Sequence, residues 1–203
     1  MNRLFPVAIL FLVVLLSPRA IHAQDATPAP DFVTPDPSEC TVTPRTVDDL
    51  RSFLATATPE VATPAEAIAS PTAFVVPEGT PADAETVTGV TATVREVTAC
   101  LNANAFRQVF ALYTDDYMAR SFVEQGIAPE AVELFATPLP AMSADEWQSF
   151  AVQDVVVLPD GRVGARVLGH SQIGGGSDFE QYFLFREVNG RYLVDDIIFP
   201  PAE

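Results

Sequence analysis

The 203-residue sequence predicts an α+β fold in which helices precede and cover an antiparallel sheet. Three observations carry this. Residues 150–199 hold four apolar runs rich in Val, Ile, Phe and Tyr, divided by Pro159-Asp160-Gly161, by Gly174-Gly175-Gly176 and by Asn189-Gly190. Asn-Gly is the most specific of these separators, because both central residues of a two-residue type I′ hairpin require positive φ. Upstream, Val87, Val90, Val94, Val97 and Leu101 recur at steps of three and four, along one helical face. The expectation is a four-stranded meander with helices laid on its apolar side.

Taken from its start, the chain opens with Arg3, an apolar run from Leu4 to Leu16, and Ile21-His22-Ala23. This reads as a signal peptide over 1–23, cleaved after Ala23. The run is shorter than the roughly eighteen residues of a spanning helix, so the mature chain is expected outside the cytoplasm without a membrane span. An uncleaved N-terminal anchor is the alternative. No Cys lies near the cleavage site, which argues against a lipoprotein anchor.

Residues 24–82 form an extension dense in Thr, Pro and Ala, whose composition predicts a mainly extended linker. One island, 40–55, interrupts it. Thr46 as N-cap, Asp48 and Asp49 in the first turn, and Val47, Leu50, Phe53 and Leu54 at helical spacing predict a short amphipathic helix near 46–55, docked on the main domain. Thr72 to Val76 is a second apolar patch, read as an added edge strand or a segment lying on the surface.

The main domain is expected over 83–203. After the long helix, Asn102 and Asn104 break the pattern, and Phe106, Val109, Phe110 and Tyr113 form a second stripe. Thr114 is a candidate N-cap, with Asp115 and Asp116 complementing the dipole of the next helix. Tyr117, Met118 and Phe122 form its buried face, and Gly126 ends it. Pro129 opens a further helix through about Phe135, and Pro138 and Pro140 enforce a loop.

Composition excludes several functions. A formal charge of −16 disfavours nucleic acid, which needs a basic footprint. No Lys is present, so Schiff-base chemistry and a phosphate-loop lysine are ruled out. Beyond the signal only His170 remains, and no zinc-ligand spacing, HExxH, GxSxG or EF-hand pattern occurs. The glycine tract stands between strands and reads as a hairpin connection. His170 beside Ser171 suggests a general base, but at a strand end it reads as a surface residue. No metal or cofactor is called for. Cys40, on the docking island, and Cys100, on the long helix, would meet oxidising conditions in an exported chain. A disulfide between them is expected, with two separate buried thiols as the alternative.

The run VREVTACLNANAFRQVFALYTDDYMAR, followed by VVVLPDGRVGARVLG and YFLFREVNGRYLVDDI, resembles the nuclear transport factor 2-like superfamily, which includes ketosteroid isomerases and SnoaL-like cyclases. The resemblance covers about 83–199. It implies a curved sheet wrapped around helices as a cone-shaped α+β barrel with an apolar pocket and, by analogy, a homodimer. In isomerases of that family a carboxylate base and acidic oxyanion donors do the chemistry. Here, period-two counting puts Asp196 with Tyr192, Val194 and Ile198, and Asp195 with Leu193 and Ile197. One of the two aspartates is expected to face the interior, and Asp196 is singled out. Tyr113, Tyr117 and Tyr182 are the phenol donors within reach, and Trp147 is among the aromatics expected to line or cap the pocket. No catalytic motif of the family matches residue by residue. The expectation is therefore a non-catalytic exported domain that binds a small apolar ligand or a protein partner. The alternative is an enzyme moving protons on a hydrophobic substrate.

Overall fold

The computed structural model describes residues 30–56, 76–172 and 176–199. The signal peptide, most of the 72–76 patch, and Gly174 and Gly175 lie outside them.

Five antiparallel strands form one sheet in chain order: β1 (Thr80–Pro81), β2 (Ser149–Val157), β3 (Val163–Ser171), β4 (Ser177–Val188) and β5 (Arg191–Ile198). The last four are the runs marked by the sequence. Asn189 and Gly190 take φ of 54° and 77°, as the I′ turn requires. At the preceding turn Leu158 N donates to Arg162 O at 2.8 Å, and Gly161 takes φ of 84°. Strand β1 pairs Thr80 with Val157 and Pro81 with Val156. A proline is tolerated there because an edge strand leaves one side without ladder bonds.

The helices are α1 (Val47–Thr56), α2 (Ala84–Asn102), α3 (Phe106–Ala111) and α4 (Asp115–Glu124). The helix expected after Pro129 is a 3-10 helix, Pro129–Ala136. Asp83 caps α2 by accepting from Thr86 N at 2.8 Å. The α2 residues Val90, Val94 and Val97 pack against Val163, Ala165, Val167, Phe183 and Phe185 of the sheet, which fills the space between helix and strands. Val87, at the start of the stripe, is 36% exposed.

The predicted docking helix is present. Thr46 and Asp49 exchange backbone-to-side-chain bonds of 3.0 and 3.1 Å, a capping box with Asp in the usual Glu role. Its buried Leu50 and Phe53 join Met118, Phe122 and Val132 in a second core. The docked part of the extension begins earlier than the sequence marked. Val33 pairs with Phe150 through two backbone bonds of 2.8 and 2.9 Å, Pro35 is buried, and Cys40 is disulfide-bonded to Cys100. Arg45 then gives Nε to Phe110 O and a terminal nitrogen to Tyr113 O, both at 2.9 Å, which caps carbonyls at and just beyond the end of α3. It also pairs with Asp115 at 2.7 Å and lies over the Phe53 ring.

Candidate functional site

The corner between α3 and α4 is stitched to the free edge of β5. Thr114 N donates to Val194 O, and Val194 N donates to Leu112 O, both at 2.9 Å. Thr114 Oγ1 caps α4 by accepting from Tyr117 N at 3.2 Å and donates to Asp195 Oδ1 at 3.0 Å. This corner sets Tyr113 and Tyr117 edge to face, with ring centroids 5.3 Å apart.

Both tyrosines line a cavity of about 220 Å³ whose other walls include Phe110, Met118, Phe122 and Phe135. Phe110 meets Phe135 at 5.0 Å and Phe122 at 5.6 Å, both nearly perpendicular. Polar atoms enter from Ser121 and Gln125, where Gln125 Nε2 donates to Ser121 Oγ at 2.6 Å. Burial holds the Tyr113 phenol above the usual tyrosine range, and the neighbouring Tyr117 adds to this. Burial also raises Tyr117, helped by the charge of Asp196 and opposed by a hydrogen bond with Ser121. Among the described residues no carboxylate lines the cavity.

The other residues singled out from the sequence lie elsewhere. Tyr182 is buried on the opposite sheet face with Leu158 and Leu184, so close to β3 that a Cβ on Gly164 would fall 2.2 Å from its hydroxyl oxygen. Trp147 stands in the loop before β2 and donates Nε1 to Met142 O at 3.1 Å. Asp196 pairs across the ladder with Leu184 on that same opposite face, is 39% exposed, and lies 3.6 Å from Arg120. The buried carboxylate is Asp195 instead, at 3% exposure. The reason is a bulge: Leu184 faces Asp196 and Phe185 faces Val194, so Asp195 is an extra residue that breaks the alternation. Its Oδ1 accepts from Thr114, and its Oδ2 meets Arg186 at 3.2 Å and Arg162 at 3.6 Å. The tyrosines and the buried carboxylate therefore serve different surroundings. His170 Nδ1 lies 2.6 Å from Asp178 Oδ1 across the β3–β4 ladder.

No family model, curated protein or solved structure matches the chain. What stands is an α+β architecture with a five-stranded antiparallel sheet and packed helices, compatible with a cone-like fold. Among the described residues no helix is long and apolar enough to cross a membrane, and no cluster of His, Cys, Asp or Glu is placed to hold a metal ion.

Of the surface grooves larger than this cavity, two bear on its surroundings. One, of about 760 Å³, runs between the start of α2 and the β4–β5 turn, with Asp83, Glu85, Glu96 and Glu187 among its walls. Arg191 in that groove is already paired with Glu96 at 2.5 Å. The other, of about 640 Å³, lies between the 103–108 and 134–139 segments and shares Phe106 and Phe135 with the inner cavity. Nothing in the periodicity of the sequence marks it, because its walls, which also include Pro44, come from segments that meet only in the fold.

Proposed function

We propose that the chain is an exported, non-catalytic binding domain of the nuclear transport factor 2-like kind, with a cone-like arrangement of sheet and helices and an aromatic cavity that takes a small apolar ligand. The observation that carries the reading is the separation of the groups proton-transfer chemistry would need. Among the described residues the cavity offers two phenols and no carboxylate, while Asp195 is occupied by Thr114, Arg162 and Arg186. A general base must lie within hydrogen-bond reach of the proton it takes, or one water away. The filled space between α2 and the sheet supports the same reading.

Size narrows the ligand. A cavity of 220 Å³ exceeds the ~150 Å³ that accommodates benzene and falls below the roughly 300–1,000 Å³ of drug-sized sites. A single ring or a short chain fits. Thermal unfolding in the presence of toluene or phenol tests this. Ligand at about 100 times its dissociation constant should stabilise the fold by about 2.7 kcal/mol. Met118→Trp, which fills the cavity, should abolish that gain. Turnover of enolisable ketones, epoxides or esters that vanishes in Asp196→Asn, with the fold intact, would replace this reading with an enzyme. Export is supported by Arg3, the Leu4 to Leu16 run and the Ala23 site. Terminal sequencing of protein from the culture medium should begin at Gln24; a chain retaining Met1 in the membrane fraction would contradict it.

A further inference from the structure

The outer groove and the inner cavity share two walls, Phe106 and Phe135, whose ring centroids stand 6.2 Å apart. At the outer rim Leu134 is 73% exposed and Leu139 50%, so apolar surface continues from the cavity to solvent. In a chain with 27 acidic residues, no Asp or Glu among the described residues lines either space. Among the described residues Arg107, in the outer groove, is the single charged side chain on the walls of the two spaces.

Its situation differs from that of the other cations. Every other arginine among the described residues stands in an ion pair. Arg107 has no ion-pair partner among the described residues, although carboxylates outnumber arginines throughout the chain. A half-buried guanidinium at an apolar groove from which acids are excluded is complementary to an anion attached to an apolar body.

We infer that this path binds an amphiphilic carboxylate, with its head on Arg107 and its chain running past the Leu134 and Leu139 rim toward Phe106 and Phe135. The inference rests on the apolar-ligand reading above and adds the head group and the route. A planar guanidinium matches a carboxylate with two parallel hydrogen bonds. One arginine balances one charge, so a polyanion would carry unbalanced negative charge into an already acidic protein.

The test is calorimetric titration of the full chain, disulfide intact, with hexanoate, octanoate, decanoate and 1-octanol. Affinity should rise about fourfold for each buried methylene, and octanoate should bind about tenfold more tightly than 1-octanol. Arg107→Gln should remove the octanoate advantage and leave 1-octanol binding unchanged. Arg107→Lys, which keeps the charge without the fork, should retain part of the advantage. Equal affinity for octanoate and 1-octanol, or an undiminished preference in Arg107→Gln, overturns the carboxylate assignment while leaving the apolar-ligand reading in place. Absence of binding by every compound, toluene and phenol included, removes both. A dimer that Leu134→Arg splits into monomers, with no octanoate binding, would assign the groove to a second copy of the chain and overturn the inference.

Discussion

Asn102 is a fully buried amide at the last turn of α2 that joins three segments. Its Nδ2 donates to Pro35 O at 3.0 Å and Gln148 O at 3.1 Å, and its Oδ1 accepts from Gln148 N at 2.7 Å. Removing it leaves buried or part-buried backbone groups of the docked 33–45 segment, a strap across the domain, and of the approach to β2 without partners. Each such group costs about 1–3 kcal/mol. Asn102→Ala should therefore lose about 2–4 kcal/mol in urea unfolding, more than a surface amide would. Tyr113 makes a different prediction, through pH. Its folded pKa is raised above the ordinary value of 10.0, chiefly by burial. A neutral group of this kind contributes stability that is complete below the unfolded value and is lost as pH rises through the folded one. Stability should fall in the alkaline range, and Tyr113→Phe should soften that fall. Ultraviolet difference spectra should then lose one late-ionising phenol.

In α2 the constraint on sequence comes from what the helix touches. Gly89 lies in the helix interior, where Gly is ordinarily about 1 kcal/mol worse than Ala. Here a Cβ would sit 2.7 Å from Cδ2 of Tyr192, so the helix can approach the β4–β5 hairpin only without one. The same contact is fixed by Thr93 Oγ1, which donates to Tyr192 O at 2.7 Å. Gly89→Ala should lower the melting temperature in place of the usual gain. Adding Tyr192→Ala should restore the helix-propensity benefit of the alanine, a non-additivity that a double-mutant cycle reads directly.

Across the molecule, the disulfide closes a sequence separation of 60 and holds the strap against α2, beside the Arg95–Glu39 ion pair at 2.5 Å. In the chain-entropy account a loop of this size contributes about 4 kcal/mol. The strap also covers the edge of β2 at Phe150, so its release would free a strand edge for intermolecular pairing. Replacing both Cys40 and Cys100 by Ala should cost about 4 kcal/mol and increase light scattering on warming. Intact-mass analysis after alkylation without reductant should find no labelled thiol in the native chain.

The elements were legible where the signal is local. Valine spacing marked α2, Thr46 and Thr114 marked the caps of α1 and α4, and Asn189-Gly190 marked the last hairpin, because each acts within a few residues of itself. Two cysteines in a chain whose first residues read as an export signal were enough to expect their pairing. Asp195 was missed in favour of Asp196 because period-two counting assumes an unbroken ladder. Whether a strand carries a bulge is settled by its partner, here at Leu184 and Phe185. Residues 30–39 read as linker because few are apolar, and only 40–55 was marked as a docking island. The whole 30–45 segment docks through backbone pairing at Val33, carbonyl capping by Arg45 and the amide of Asn102, and these bonds depend on groups distant in sequence. The aromatic cavity and the Arg107 groove belong to the same class. Periodicity identified Phe106, Phe110, Tyr113 and Tyr117 as apolar positions, but only the packing of α3, α4 and the 134–139 segment decided which of them face an opening and which fill the core.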